Sequence, residues 1–199
     1  MTSLPRTLTT LAAGALCCLP LLAGCGRSAP THFFSLSAAA QEKSAPPSGP
    51  CQSIGIGPVD FPAYLDRTQI VTRLGPNQLH LAEFDQWAEP LRDNFQRALA
   101  ENLAGLLCAK PLTTYPWPVG GHPDKQIVLQ VAQFDGNLGQ NATLRVSWSV
   151  VDAEGNNLAW RSTEYQEAVS GPDYDALAAA ESRLVEKLAK DVAASLAAQ

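Results

Sequence analysis

The chain has 199 residues, 46% of them hydrophobic and 17% charged, the balance of one ordinary globular domain rather than of a disordered chain or a repeat array. Fourteen Lys and Arg stand against nineteen Asp and Glu, a formal net charge of −5, so the basic footprint of a nucleic-acid binder is absent. Five cysteines are an odd number, and because disulfides use thiols in pairs, one sulfur is left over for other chemistry.

Arg6 is the sole charge ahead of Arg27, and an apolar stretch runs from Leu8 to Ala23, broken by threonines, Gly14 and Pro20. This is the pattern of an export signal, too short and too interrupted for a membrane span of about 20 apolar residues. Leu22-Ala23-Gly24-Cys25 follows directly and resembles the bacterial lipobox, in which small residues precede a cysteine whose thiol is alkylated by diacylglycerol before cleavage. The resemblance implies that residues 1–24 are a cleaved lipoprotein signal peptide and that Cys25 is the lipidated first residue of the mature protein. Arg6, Cys17 and Cys18 leave with the signal. Each buried methylene contributes about 0.8 kcal/mol, so two or more acyl chains hold durably. Gly26 stands where inner-membrane retention signals place Asp, and for a Gram-negative source the expectation is an outer-membrane anchor with the domain facing the periplasm. Cys51 and Cys108 then remain in an oxidising compartment, where a disulfide between them is expected. The other arrangement, two separate buried thiols, stays open, since proximity is not written in the sequence.

Residues 25–30 form the lipidated N-terminus and a tether that reaches about 20 Å when extended, and 31–199 read as a single periplasmic domain. Thr31 to Ser37 is short and aromatic enough for a first strand, followed by the Ser/Pro/Ala-rich stretch Ala38 to Pro50. Gln52 to Phe61 and Gln69 to Leu74 read as strands joined across Pro62 to Arg67, and Gly75-Pro76-Asn77 turns the chain into a strand from Gln78 to Phe84. Pro90 opens a helix with Leu91, Phe95, Leu99, Leu103 and Leu106 on one stripe and Arg92, Asp93, Gln96, Arg97 and Glu101 opposite. The helix ends by Pro111, and a proline-studded loop covers Thr113 to Asp124.

Gln126 to Phe134, Ala142 to Val151 and Leu158 to Val169 alternate as a three-strand meander, with turns expected at Asp135-Gly136-Asn137 and Asp152 to Asn156. Tyr174 to Leu196 is a second amphipathic helix. Together these elements predict an α+β domain, a largely antiparallel sheet with two long amphipathic helices packed on one face.

No segment assembles a catalytic or metal site. Gly55-Ile56-Gly57 lacks a third glycine at phosphate-loop spacing, and Pro58 removes a donor the loop would need. His32, His80 and His122 are isolated from one another and from carboxylates at metal-ligand spacing, and no Gly-x-Ser-x-Gly elbow occurs. No enzyme activity, cofactor or metal is expected. Tyr64 and Arg67 suit either a partner interface, where aromatics and Arg are enriched, or a structural turn plugging the end of the sheet. Trp87 suits either an exposed partner contact or a staple at the start of the helix.

The segments Val59-Asp60-Phe61-Pro62-Ala63-Tyr64-Leu65-Asp66-Arg67, Trp87-Ala88-Glu89-Pro90-Leu91, Val131-Ala132-Gln133-Phe134-Asp135-Gly136 and Gly171-Pro172-Asp173-Tyr174-Asp175, with Cys25, His32-Phe33-Phe34 and Trp148, carry a further likeness in their order and spacing. The chain resembles the PqiC-like (YmbA-like) lipoproteins, the ABC-type transport auxiliary components. The resemblance implies a non-catalytic, outer-membrane-anchored accessory lipoprotein that works with an MCE-domain protein and an ABC transporter permease in lipid transport and envelope homeostasis. A homo-oligomer is expected. The alternative is a periplasmic lipid carrier whose sheet and helices enclose an apolar cavity.

Overall fold

Three long strands, the middle one strictly alternating, organise the molecule. In the computed structural model, which describes residues 29–39 and 51–198, Lys125–Gly136 (β6), Asn141–Asp152 (β7) and Asn157–Ala168 (β8) form the expected antiparallel meander. Ala142, Leu144, Val146, Trp148 and Val150 are buried on one face of β7, while Arg145 between them is exposed, the period of two that a half-buried strand requires. The expected signal peptide, Cys25 and positions 40–50 of the Ser/Pro/Ala-rich stretch lie outside the described residues. From Thr31 onward the chain forms one compact unit.

The other strands are His32–Phe34 (β1), Gln52–Asp60 (β2), Gln69–Gly75 (β3), Gln78–Trp87 (β4) and Ala109–Thr114 (β5). They complete one eight-stranded sheet. The other side of β6 has two neighbours. Its first half pairs in parallel with β2, from Ile54 opposite Lys125 to Asp60 opposite Gln130, and its last residue meets β3, Gly136 opposite Thr72. Beyond β2 lies β5, and beyond β3 lie β4 and then β1. The longest ladders are antiparallel, as expected, but β1–β4, β2–β5, β2–β6 and β3–β6 are parallel. The sheet is therefore mixed. The continuous buried run Ile54–Gly57 in β2 is what an interior parallel strand shows.

Two local expectations need correction. β5 occupies residues expected to be helix end and loop. It pairs with β2 alone and forms an edge, the place in a sheet where a proline such as Pro111 is tolerated. The turn expected at Asp135-Gly136-Asn137 begins at Asn137 instead, and Asp135 and Gly136 are buried strand residues.

Leu91–Leu106 (α1) and Tyr174–Ala197 (α2) are the two expected helices. Their stripes are buried: Leu91, Phe95, Leu99 and Leu103 on α1, and Leu177, Leu184, Val185, Leu188, Val192 and Leu196 on α2. Asp173 caps α2 by accepting from the Ala176 N–H at 2.8 Å. The helices touch each other; α1 meets β2 and β5, and α2 meets β7 and β8. Phe95 of α1 packs edge-on against Phe61, just after β2, and against Phe134 of β6, each at 5.3 Å between ring centres. Cys51 and Cys108, with Cα atoms 4.7 Å apart, are joined in a disulfide that ties the start of β2 to the link between α1 and β5. Among the described residues no helix is long and apolar enough to cross a membrane.

Candidate functional site

The segment singled out in the sequence, Tyr64 to Arg67, follows a proline that presets its φ. Ala63–Leu65 forms one turn of 3-10 helix, with the Leu65 N–H donating to the Pro62 carbonyl at 2.9 Å. Leu65 is buried, and Arg67 Nε donates back to the Tyr64 carbonyl at 2.8 Å, locking the turn. The Tyr64 hydroxyl reaches inward and donates to Asp135 Oδ2 at 2.8 Å. Trp87 is 4% exposed, at the end of β4, and its backbone N–H donates to Thr68. All three residues named for an interface thus have partners within the fold.

Asp135 is the hub. It is fully buried on β6 and accepts from Arg73 Nε at 3.1 Å, Arg73 Nη2 at 2.8 Å, Gln133 Nε2 at 2.7 Å and the Tyr64 hydroxyl. Burial by itself raises this carboxyl, but the donors of Arg73, Gln133 and Tyr64 outweigh it and hold the group below its ordinary 3.8. Burial and then Asp135 push the Tyr64 phenol up. A carboxylate with four donors on two oxygens has no lone pair in a position to take a proton from a substrate, so the cluster positions elements rather than performing chemistry.

A second polar cluster fixes the N-terminal segment. Leu36 and Ala39 donate from their backbones to Asn94 Oδ1 and Asn102 Oδ1 of α1 at 3.0 and 3.1 Å. Between them, Ser37 donates to Ser182 Oγ of α2 at 3.1 Å. Arg97 adds a bond to the Leu36 carbonyl at 3.0 Å while paired with Glu89 and Glu101. The chain leaving β1 is therefore strapped across both helices by buried side chains.

A cleft of about 370 Å³ lies between α1 and the end of β5, lined by Asp93, Gln96, Arg97, Ala100, Glu101, Thr114 and Tyr115. Most of its lining residues are polar or charged, but much of the wall they present is apolar, and Gln96 is occupied by the Ile56 carbonyl at 2.6 Å. Among the described residues no three His, Cys, Asp or Glu side chains are grouped to hold a metal. His32 Nδ1 pairs with Asp85 at 3.0 Å on the surface.

Sequence reasoning missed Arg73, Gln133, Asp135, Asn94, Asn102 and Glu181. The missed signal is polarity out of phase with its surroundings. Glu181 falls on the apolar stripe of α2 in step with Leu177 and Val185, and Asp135 was hidden by the Asp-Gly turn signature.

The profile of the family described as "ABC-type transport auxiliary lipoprotein component" matches residues 34–193, the same family whose PqiC-like members the sequence segments resemble. Among solved structures, a crystal structure of an uncharacterized protein is similar with a TM-score of 0.68 and 16% identity, over 84% of this chain and 99% of that one. A Xanthomonas campestris protein of the DUF330 family is similar with a TM-score of 0.67 and 16% identity, over 82% of this chain and 93% of the other. At these identities the likeness is one of fold. No curated protein matches the chain in sequence.

Proposed function

From its place among the ABC-type transport auxiliary lipoprotein components, the family to which this chain belongs, we propose that the protein is an outer-membrane-anchored, periplasm-facing accessory subunit of an MCE-type lipid transport system. Its role is adhesive and non-catalytic. Lipid on Cys25 fixes position, and β1 begins at His32, so the tether holds the domain within about 20 Å of the bilayer. The folded domain presents the binding surface for an MCE-domain protein and its permease complex, as a homo-oligomer around the conduit. Both helices are taken to cover one face of the sheet, leaving the face with Arg145 and the exposed Trp160 turned outward.

The observation that carries the adaptor reading over the carrier reading is the filling of the space between sheet and helix by the edge-to-face rings of Phe61, Phe95 and Phe134. A carrier needs an apolar cavity there. Two measurements test this. Capture of an MCE-domain protein by the full chain bearing Cys25→Ser is expected, and a native mass spectrum with stoichiometric co-purified phospholipid and no such capture overturns the adaptor in favour of the carrier. For the anchor, the native chain is expected in the membrane fraction and the Cys25→Ser chain in the soluble one; a Cys25→Ser chain still in membranes contradicts the lipid anchor.

A further inference from the structure

Glu181 is a buried ionisable side chain with no ion-pair partner among the described residues. It sits at mid-α2, 1% exposed, and its Oε2 has no hydrogen-bond partner. The charge acting on it is Asp135 of β6, itself ionised and saturated by Arg73 of β3, Gln133 and Tyr64. Several cations of α1 and α2 are committed to other carboxylates. Arg97 of α1 pairs with Glu89 and Glu101, and on α2 itself Arg183 and Lys187 pair with Glu167 while Lys190 pairs with Glu186.

A carboxylate buried with no ion pair and with an oxygen lacking any donor, beside a second carboxylate, either takes up a proton or leaves the interior. Burial first, and the Asp135 charge second, keep the Glu181 proton bound well above the ordinary 4.5. The adjoining residue, Ser182, accepts from the Ser37 N–H and so holds the N-terminal strap.

We propose that the proton on Glu181 is a latch: the neutral side chain lets the middle of α2 dock on the sheet, and its ionisation loosens that part of the helix together with the strap at Leu36–Ala39. The sign follows from linkage. A folded-state value raised above the unfolded one gives stability that is complete below the ordinary 4.5 and declines as pH rises, opening growing up to about tenfold per pH unit until the folded value is passed. Asp135 acts with the opposite sign below its ordinary 3.8, so a range starting near pH 5 isolates Glu181.

The test is hydrogen exchange on the full chain in detergent from about pH 5 to 9, corrected for intrinsic exchange rates, with Glu181→Gln and Glu181→Met beside the native chain. Native protection of the middle of α2 and of the strap is expected to fall by tenfold or more across the range, while either variant stays flat. Native protection that does not change with pH overturns the latch, as does an unchanged slope in the variants. An infrared spectrum of the native chain without a protonated-carboxyl band above about pH 6 overturns it as well, whether or not the variants fold.

Discussion

Arg73 grips both carboxylate oxygens of Asp135, at 3.1 and 2.8 Å, and so joins two strands whose ladder contributes a single register position, Thr72 opposite Gly136. This is the narrow seam between β1-β4-β3 and the rest of the sheet, and the Asn137 side-chain amide also crosses it, donating to the Arg73 carbonyl. Gly136 belongs to the same seam. A Cβ at that position would come within 2.7 Å of the Asn141 carbonyl oxygen and 2.9 Å of Leu177, so no larger residue fits between β7 and α2.

Removing Arg73 leaves Asp135 buried without its cation, whereas removing Asp135 leaves a partly exposed Arg73. Arg73→Met is therefore expected to lower unfolding stability by about 3–5 kcal/mol. Asp135→Ala is expected to cost less, and the double variant to cost less than the sum. Urea unfolding of the three variants checks this; strictly additive losses would mean that the two residues act separately.

The same carboxylate shapes the acid limb of stability. Its folded value lies below the ordinary 3.8, so its contribution is present above that value and disappears as pH falls through the folded one. Melting temperature followed from about pH 5 down to 2 is expected to fall less steeply in Asp135→Asn than in the native protein. Parallel curves would remove Asp135 from acid unfolding.

Tyr64→Phe keeps the ring and deletes one of the four donors to Asp135, an expected loss of about 1 kcal/mol. Arg67→Ala frees the turn from its 2.8 Å bond to the Tyr64 carbonyl and is expected to lower the melting temperature as well. Recovery of partner proteins should follow stability in both. Lost assembly at an unchanged melting temperature would instead give these side chains an interface role.

The disulfide closes a sequence separation of 57, which in the chain-entropy picture stabilises by roughly 4 kcal/mol. Cys51→Ser with Cys108→Ser should therefore lower the denaturant midpoint, and reductant should shift the native protein toward the same value. Equal midpoints with and without reductant would contradict the bond.

Where residues interact with near neighbours in sequence, the sequence is readable. Pro90 and the Leu91–Phe95–Leu99–Leu103 stripe place α1, and alternation from Gln126 to Val169 places β6, β7 and β8. β5 is not readable because Pro111 mimics a loop, and its strand character comes from β2, which lies far away in the chain. Parallel order is likewise invisible, since Ile54 carries no mark of its partner Lys125. The polar cluster fails for the opposite reason. Asp135 reads locally as a turn residue, Arg73 as one position of a strand and Tyr64 as either an interface aromatic or part of a structural turn, and only their meeting at 2.8 Å makes them one structural unit.

Crosslinking and mass spectrometry on the membrane-anchored protein in its native envelope tests the adaptor role most directly. The expected result is crosslinks from residues of the 31–199 domain to an MCE-domain protein or a transporter permease, together with links between copies of this chain. An envelope in which the protein is abundantly crosslinked yet recovers no MCE or transporter subunit would contradict it.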